Sequence, residues 1–334
     1  MKVGIRDVAK RAGVSVGTVS NVINKPEQVS AQTLARVLDV MKVLEFVPNS
    51  LAQQLRAGRG TTLGMIVLNV ANPFFADLAH ACESVAEGHG NTVIFGSSDQ
   101  LAHREARYLD LFTGQRVAGL LVAPFNGVTP LLWRLRNRGI PLVLFDAEAP
   151  EAFCSVAMDG RLGGYLGARH LIETGRRNIC FLGGPLRQVE DRWIGALRAC
   201  AETSGVKLTH YDTRDTTVAD GREAGSHLEK LPITERPDAV FAANDALAVG
   251  LMQFLSVSSR ISVPRDLAIM GYDDIEYSSS SVVPLTSVRQ PVAALAAEAI
   301  RLVLDEGLSG TSHTHEKIRL PPELVVRKST PSTG

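Results

Sequence analysis

At 334 residues the chain exceeds one ordinary domain and points to two or three. Hydrophobic residues make up 45% and charged residues 21%, which supplies a core and excludes a disordered chain; aromatics, at 5%, leave room for helices packed closely on parallel sheets. The zero net charge conceals a basic head: residues 1–59 hold nine basic and four acidic residues, a formal +5 against −5 for the remainder, and a basic module on an acidic body is a common footprint of nucleic-acid binding.

The first predicted element is a helix over 5–12, with Ile5, Val8, Ala9 and Ala12 on one face. Gly13 and Val14 make a turn, and Ser15 caps a second helix running to about Asn24. Lys25-Pro26-Glu27 interrupts the chain. Ser30 caps a third helix over 31–44, whose predicted inward stripe is Leu34, Val37, Leu38 and Met41. Two helices crossing at a sharp turn need a small residue where they meet, a glycine at the turn and apolar anchors; Ala9, Gly13 and Val8, Val14, Val19 and Val22 meet those needs. The N-terminal part of the second helix is then free to enter a major groove.

Residues 47–60 form a separate piece, in which Asn49 would cap one or two helical turns and Gly58 and Gly60 would end them. A helix this short is marginal alone and needs a partner.

From residue 63 the pattern changes to alternating strands and helices. Buried strands are predicted over 63–68, 92–95, 119–122, 142–145, 179–182, 239–241 and 267–270, with helices over 74–87, 162–173, 192–203 and 245–254 between them. This alternation predicts doubly wound parallel sheets, and 61–328 is long enough for two similar lobes.

No apolar run reaches the ~18 residues of a membrane span, and charged Lys2, Arg6 and Asp7 stand where a signal peptide needs apolar ones. The expectation is a cytoplasmic protein with no membrane partner. Cys82, Cys154, Cys180 and Cys200 lack CxxC spacing and the eight histidines lack metal spacing. Buried thiols, no metal and no cofactor are expected. Gly160-Arg-Leu-Gly163-Gly164 lacks the order of a dinucleotide loop, and no phosphate loop, nucleophile elbow or HExxH is present, so the chain does not read as an enzyme.

The run from Ile5 to Asn24, followed by Val29-Ser30-Ala-Gln-Thr33 and Phe46-Val-Pro-Asn49, resembles the head of the lactose-repressor (LacI/GalR) family. By that resemblance Val16, Gly17 and Asn21 occupy the main base-reading positions, with Ser15, Thr18, Ser20 and Asn24 beside them, mostly toward phosphate. Ala52-Gln53-Gln54-Leu55-Arg56 matches the family segment that folds on DNA, where each of two subunits pushes a leucine, here Leu55, into the minor groove. The same resemblance implies a near-palindromic double-stranded operator, a homodimer, and repression as the commoner outcome. A C-terminal coiled-coil tetramer is not expected, since no leucine heptads follow residue 327.

Residues 61–328 resemble the type I periplasmic-binding-protein fold of that family, which implies an N-lobe of about 61–160 and 290–318, a C-lobe of about 162–287 and 321–328, and a polar tail over 329–334. Three crossings near 159–163, 286–291 and 318–322 would join the lobes around a ligand cleft. Residues at strand ends that fit the family pattern give the expected contacts: Asp146, Arg192, Asn244, Asp273 and Gln290 as polar groups, and Phe74 and Phe75 as apolar walls, one of them partly core. Arg192 and Gly195 match an Arg-x-x-Gly pattern opening a helix. Asp274 reads as structural. A sugar or sugar derivative is the favoured ligand, with nucleosides, purines, organic acids or a partner protein as alternatives, because Ala147 replaces an arginine common in sugar-binding relatives. A transport-type solute-binding protein is the alternative for the body alone.

Overall fold

The computed structural model describes residues 3–46, 60–147 and 149–331. They form two compact units, a head (to residue 61, with 114–118) and a body. The expected hinge segment, Leu55 included, lies outside the described residues.

In the head, α1 (Ile5–Ala12), α2 (Val16–Asn24) and α3 (Ala31–Val43) follow the local signals closely. Gly13 ends α1 in the left-handed region at φ 65°, where a side chain would be strained, and its N–H donates to Ala9 O. Ser15 and Ser30 cap α2 and α3 by accepting from Thr18 N and Thr33 N. The small core is Val8, Ala9, Ala12, Val19, Val22 and Val37, with Leu34, Val40, Met41, Leu44 and Phe46 packed on it. Leu38 is a correction: it is 49% exposed, and Val40 takes the inward flank predicted for it.

The body contains two six-stranded sheets. The N-lobe sheet runs β2 (Thr92–Ser97), β1 (Thr62–Val67), β3 (Gly119–Val122), β4 (Leu142–Phe145), β5 (Cys154–Met158), β11 (Lys317–Leu320), all parallel. The C-lobe sheet runs β7 (Lys207–Tyr211), β6 (Asn178–Leu182), β8 (Ala239–Ala242), β9 (Ala268–Asp273), β10 (Thr286–Arg289) and an antiparallel edge strand β12 (Glu323–Val325). Helices α4 (Pro73–Gly88), α5 (Ala102–Gly114), α6 (Pro130–Asn137) and α12 (Val292–Ser309) belong to the N-lobe. Helices α7 (Gly160–Glu173), α8 (Leu186–Ala201), α9 (Val218–Lys230), α10 (Asp245–Ser258) and the short α11 (Glu276–Ser280) belong to the C-lobe. The chain passes between sheets after β5, after β10 and between β11 and β12.

Central strands are buried along their whole length, as parallel strands covered on both faces must be. Strands β5, β7, β10, β11 and β12 were not among the predicted elements: β7, β10, β11 and β12 carry no apolar run, and a serine interrupts that of β5. All four cysteines are free and buried; burial alone pushes the Cys82 thiol up to about 12. The expected polar tail needs correcting at its start. Ser329 and Thr330 are buried: Ser329 Oγ accepts from Thr286 N at 2.8 Å, and Thr330 Oγ1 lies 2.7 Å from both Thr286 Oγ1 and His170 Nε2. Their hydroxyls find partners inside the C-lobe, which is why polar residues are tolerated there.

Candidate functional site

Two surfaces carry the predicted residues. On α2, buried Val19 and Val22 fix one face, so the helical period turns Gly17, Ser20, Asn21 and Asn24 to the other and leaves Val16, 41% exposed, on the flank. Ser15, Val16, Gly17, Asn21 and Asn24 are exposed, and Thr18 and Ser20 are half-buried. Ser15 Oγ both caps Thr18 N at 3.0 Å and lies 2.9 Å from Thr18 Oγ1. Asn24 Nδ2 folds back onto Ser20, donating to its carbonyl at 2.8 Å and its hydroxyl at 3.2 Å. The face is short-chained, neutral and smooth, which allows close approach of the helix to base edges and phosphates.

The second surface is a cavity of about 690 Å³ between the two sheets of the body, lined by all seven predicted residues: Phe74, Phe75, Asp146, Arg192, Asn244, Asp273 and Gln290. It lies beyond the C-terminal ends of parallel strands, where such sheets leave a crevice. Asn72 caps α4 by accepting from Phe74 N at 3.1 Å, which sets the two phenylalanines on the cleft wall with centroids 5.1 Å apart, edge to face. Asn244 caps α10 through Leu247 N and donates to Thr216 O at 3.0 Å, so both ends of its amide are held. Gln290 Nε2 donates to Asp273 Oδ1 at 2.7 Å.

Arg192 is the centre of the polar wall. Its guanidinium stacks 3.8 Å from the Tyr272 ring centroid, bonds Ala243 O, and lies 3.6 Å from Asp273. The corresponding side chains are 17% and 2% exposed, so this pair is largely withdrawn from water. Arg192 sits in the second turn of α8, not at its opening as the sequence pattern implied, because Pro185 starts the helix earlier. The Arg-x-x-Gly spacing has a packing cause: a Cβ on Gly195 would collide with Arg161 O, and one on Gly164 with Arg192 O. Only bare backbones let α7 and α8 approach that closely and hold Arg192 over the cleft.

Asp146 and Asp273 both sit at strand ends with positive φ, 47° and 102°, a conformation that costs a non-glycine residue energy and turns each carboxylate toward the cavity. Burial pushes the Asp273 carboxyl up against the opposing pull of Arg192 and of hydrogen bonds from Gln290 and Asn72. Asp146 is raised by desolvation too, again opposed by Arg192. Desolvation would lower Arg192, but Asp273, Tyr272, Asp146 and Asp245 together raise it. The site therefore holds a fixed cation among acids that hold their protons more tightly than in water.

A model of bacterial regulatory proteins of the lacI family matches residues 4–49, and one of a periplasmic-binding-protein-like domain matches 168–330. The transcriptional regulator DegA of Bacillus subtilis is 32% identical over 99% of this chain and 98% of its own length. The chain belongs to the LacI family of bacterial transcriptional regulators. The transcriptional repressor PurR of Mannheimia succiniciproducens is 31% identical over 97% of the chain and 98% of its own. The Lac repressor dimer bound to operator and the anti-inducer ONPF superposes with a TM-score of 0.82 at 26% identity, covering 99% and 100% of the two chains. A LacI-family regulator from Enterococcus faecium with bound ribose gives 0.73 at 26%, covering 82% and 100%. As a LacI-family member the protein is a DNA-binding transcriptional regulator and not an enzyme. Among the described residues no helix is long and apolar enough to cross a membrane.

Several cleft groups of this LacI-family body were not among the predicted contacts. Asn72 reaches from the N-lobe to Asp273 of the C-lobe, and Gln100 donates across the same gap to Asp215 at 3.3 Å. Asp215, Thr216, Thr217 and Tyr277 also line the cavity. Asp274, read as structural, is paired with Arg289 at 2.8 Å and Arg327 at 2.6 Å. Away from the cleft, the fold gathers Cys154, Glu306, His313 and His315 into one cluster that spacing along the chain conceals.

Proposed function

We propose that the protein is a cytoplasmic repressor that binds a near-palindromic operator as a homodimer, and that a sugar or sugar derivative in the cleft sets its operator affinity. The observation that carries the ligand reading is the desolvated Arg192–Asp273–Gln290 group facing the Phe74–Phe75 wall in a 690 Å³ cavity. Guanidinium, carboxylate and amide groups bond adjacent hydroxyls, and an aromatic wall covers the apolar face of a ring. The ribose-bound relative supports the same class.

The reading of DNA is assigned to Val16, Gly17 and Asn21, with Ser15, Thr18, Ser20 and Asn24 toward the backbone, and to Leu55 as a minor-groove wedge. One head offers few phosphate contacts, and a twofold pair doubles them. Ligand and operator then share one coupling free energy, typically ~1–3 kcal/mol or about five- to 150-fold in affinity. The test is selection of preferred duplexes from a random pool with the purified protein. A thermal-shift screen of sugars, nucleosides, purines and organic acids follows, with operator binding repeated with any hit. A preferred duplex with twofold symmetry and a sugar that changes its affinity are expected; no preference over random DNA would sink the proposal. Leu55→Ala is expected to weaken operator binding while leaving ligand affinity unchanged.

A further inference from the structure

The geometry points to a zinc-class metal site in the N-lobe, apart from the ligand cleft, with Cys154, Glu306, His313 and His315 as its ligands. Their candidate donor atoms all lie within 4.8 Å of one another. They come from three distant stretches: the first residue of β5, the last turns of α12, and the turn that leads into β11. The Cys154 sulfur is 3.1 Å from His313 Nε2 and 3.6 Å from His315 Nδ1. A tetrahedral ion with ordinary zinc–sulfur and zinc–nitrogen bonds sets that separation at roughly 3.6 Å. A thiolate, two imidazoles and a carboxylate form a borderline-soft set that suits zinc and excludes the oxygen-seeking calcium and magnesium.

The surroundings are organised as a ligand set requires. His313, with a side chain only 1% exposed, meets Asp305 Oδ2 through Nδ1 at 2.8 Å. That carboxylate fixes the tautomer and leaves the Nε2 lone pair facing the sulfur, the arrangement that orients metal-binding histidines. The backbone N–H of Glu316 donates to the Cys154 sulfur at 3.4 Å, which helps to fix the sulfur's position. One carboxylate oxygen of Glu306 accepts from Leu142 N at 2.9 Å, which fixes the group and leaves its other oxygen. A single S–H donating to His313 would account for one of these approaches and not for the convergence of four. One neighbour opposes the site: Arg136 Nη2 is 3.4 Å from His315 Nε2, and a guanidinium can only donate. A metal on Nδ1 puts the ring proton on Nε2, so this long contact has to give way. Binding forms the metal–sulfur bond, releases the thiol proton to solvent and changes no oxidation state.

Such an ion would clamp the starts of β5 and β11 to α12. β4 ends at Phe145, and β5 runs on through Val156 to Met158, all three in the cavity wall, so the clamp stiffens the strands on which the cleft is built. The test uses the full chain without a histidine tag, stripped with chelator and titrated with zinc against a chromophoric chelator, with cobalt(II) as a spectroscopic probe. About one zinc per chain, a cobalt spectrum with a sulfur charge-transfer band, and a rise in unfolding temperature on adding zinc are expected. Cys154→Ser and His313→Gln should each weaken zinc at least ~100-fold and abolish the thermal rise, and Asp305→Asn, acting only through His313, should weaken it about 10- to 100-fold. Asp305 is half-exposed, so its variant folds if either buried-ligand variant does not. Less than about a tenth of an equivalent of zinc, a cobalt spectrum without sulfur bands, or undiminished affinity in Asp305→Asn and Cys154→Ser overturns the assignment.

Discussion

The head and the cleft handle polar groups in opposite ways. On α2 the outward residues are small and neutral, and what they need is satisfied within a turn or so, as Ser15 with Thr18 and Asn24 with Ser20 show. In the cleft a guanidinium and several carboxylates are held away from water by one another, and each comes from a different stretch of chain. The head can thus lose any one outward side chain without unfolding, and the cleft cannot lose one charge without stranding another. Recognition in the first region is a surface added to a stable helix; in the second it is part of what the fold must hold together.

The sharpest break of that contrast is Arg192→Met. It keeps volume and removes the cation from beside Asp273, whose side chain is 2% exposed. Removing one partner of a buried pair costs about 3–5 kcal/mol, because the other charge stays behind. Urea denaturation should show that loss, together with loss of ligand response. Arg192→Met with Asp273→Asn should recover part of the stability and none of the response. If the single variant is as stable as the wild type, the pair is better hydrated than the structure implies and the contrast with the head fails.

A second test uses pH. Asp245 is fully buried, accepts from Ser278 Oγ, Ser287 Oγ and Ile275 N, and burial, followed by the nearby Asp273 charge, raises its carboxyl to about 7. An acid whose folded value lies above its unfolded value of ~3.9 binds its proton more tightly when folded. Its contribution to stability is fully present below the unfolded value and is lost as pH rises through about 7. Asp146 and Asp273 are raised as well and act in the same direction. The urea midpoint should therefore fall between about pH 4 and pH 7, and Asp245→Asn should make that fall shallower. Among its described residues the head has no counterpart to this buried acid cluster, so operator affinity measured at a fixed folded fraction should not follow the same curve.

How much of this was legible in the sequence divides along the same line. Gly13, Ser15 and Ser30 act on neighbours within five residues, and the valines recur at helical spacing, so the head's helices can be read locally. Leu38 could not be placed, because positions 38 and 40 flank the same buried seam and contact with the rest of the bundle decides between them. In the body, polar residues directly after apolar runs marked Asp146, Asn244 and Asp273, since strand ends converge on the crevice. Strands β7, β11 and β12 are short, half-polar sheet edges whose pattern carries no burial signal. The start of α8 hid behind the polar residues that follow Pro185, and Asn72 and Gln100 reach their partners only through tertiary contact. Cys154 and His313 meet across 159 residues, a closeness that no local spacing expresses.

Asn21→Ala tests the other side of the comparison. Asn21 is exposed on the outward face of α2, and a good amide-to-base contact discriminates by about 1–3 kcal/mol. Operator preference should therefore drop about five- to 150-fold, with nonspecific binding and the urea midpoint unchanged. A fall in the midpoint instead would mean that the residue supports the head rather than reads DNA.

The smallest effect separates surface from core within one helix. Val16 and Val19 lie three residues apart on α2, the first 41% exposed and the second fully buried. Val19→Ala removes methyl groups from a six-residue core, and full burial of a valine is worth about 1.5–3 kcal/mol, so the head should melt earlier. Val16→Ala removes the same atoms from a side chain already partly in water. Stability should stay within about 0.5 kcal/mol, as for surface changes generally. Its operator affinity should still fall, because an apolar methyl facing base edges is one of the few contacts a neutral helix face offers. Measured together on the same operator, the two variants distinguish loss of a reading contact from loss of the helix that presents it. If Val16→Ala changes neither stability nor binding, the Val16 side chain does not reach the bases, and the reading has to be carried by Gly17 and Asn21.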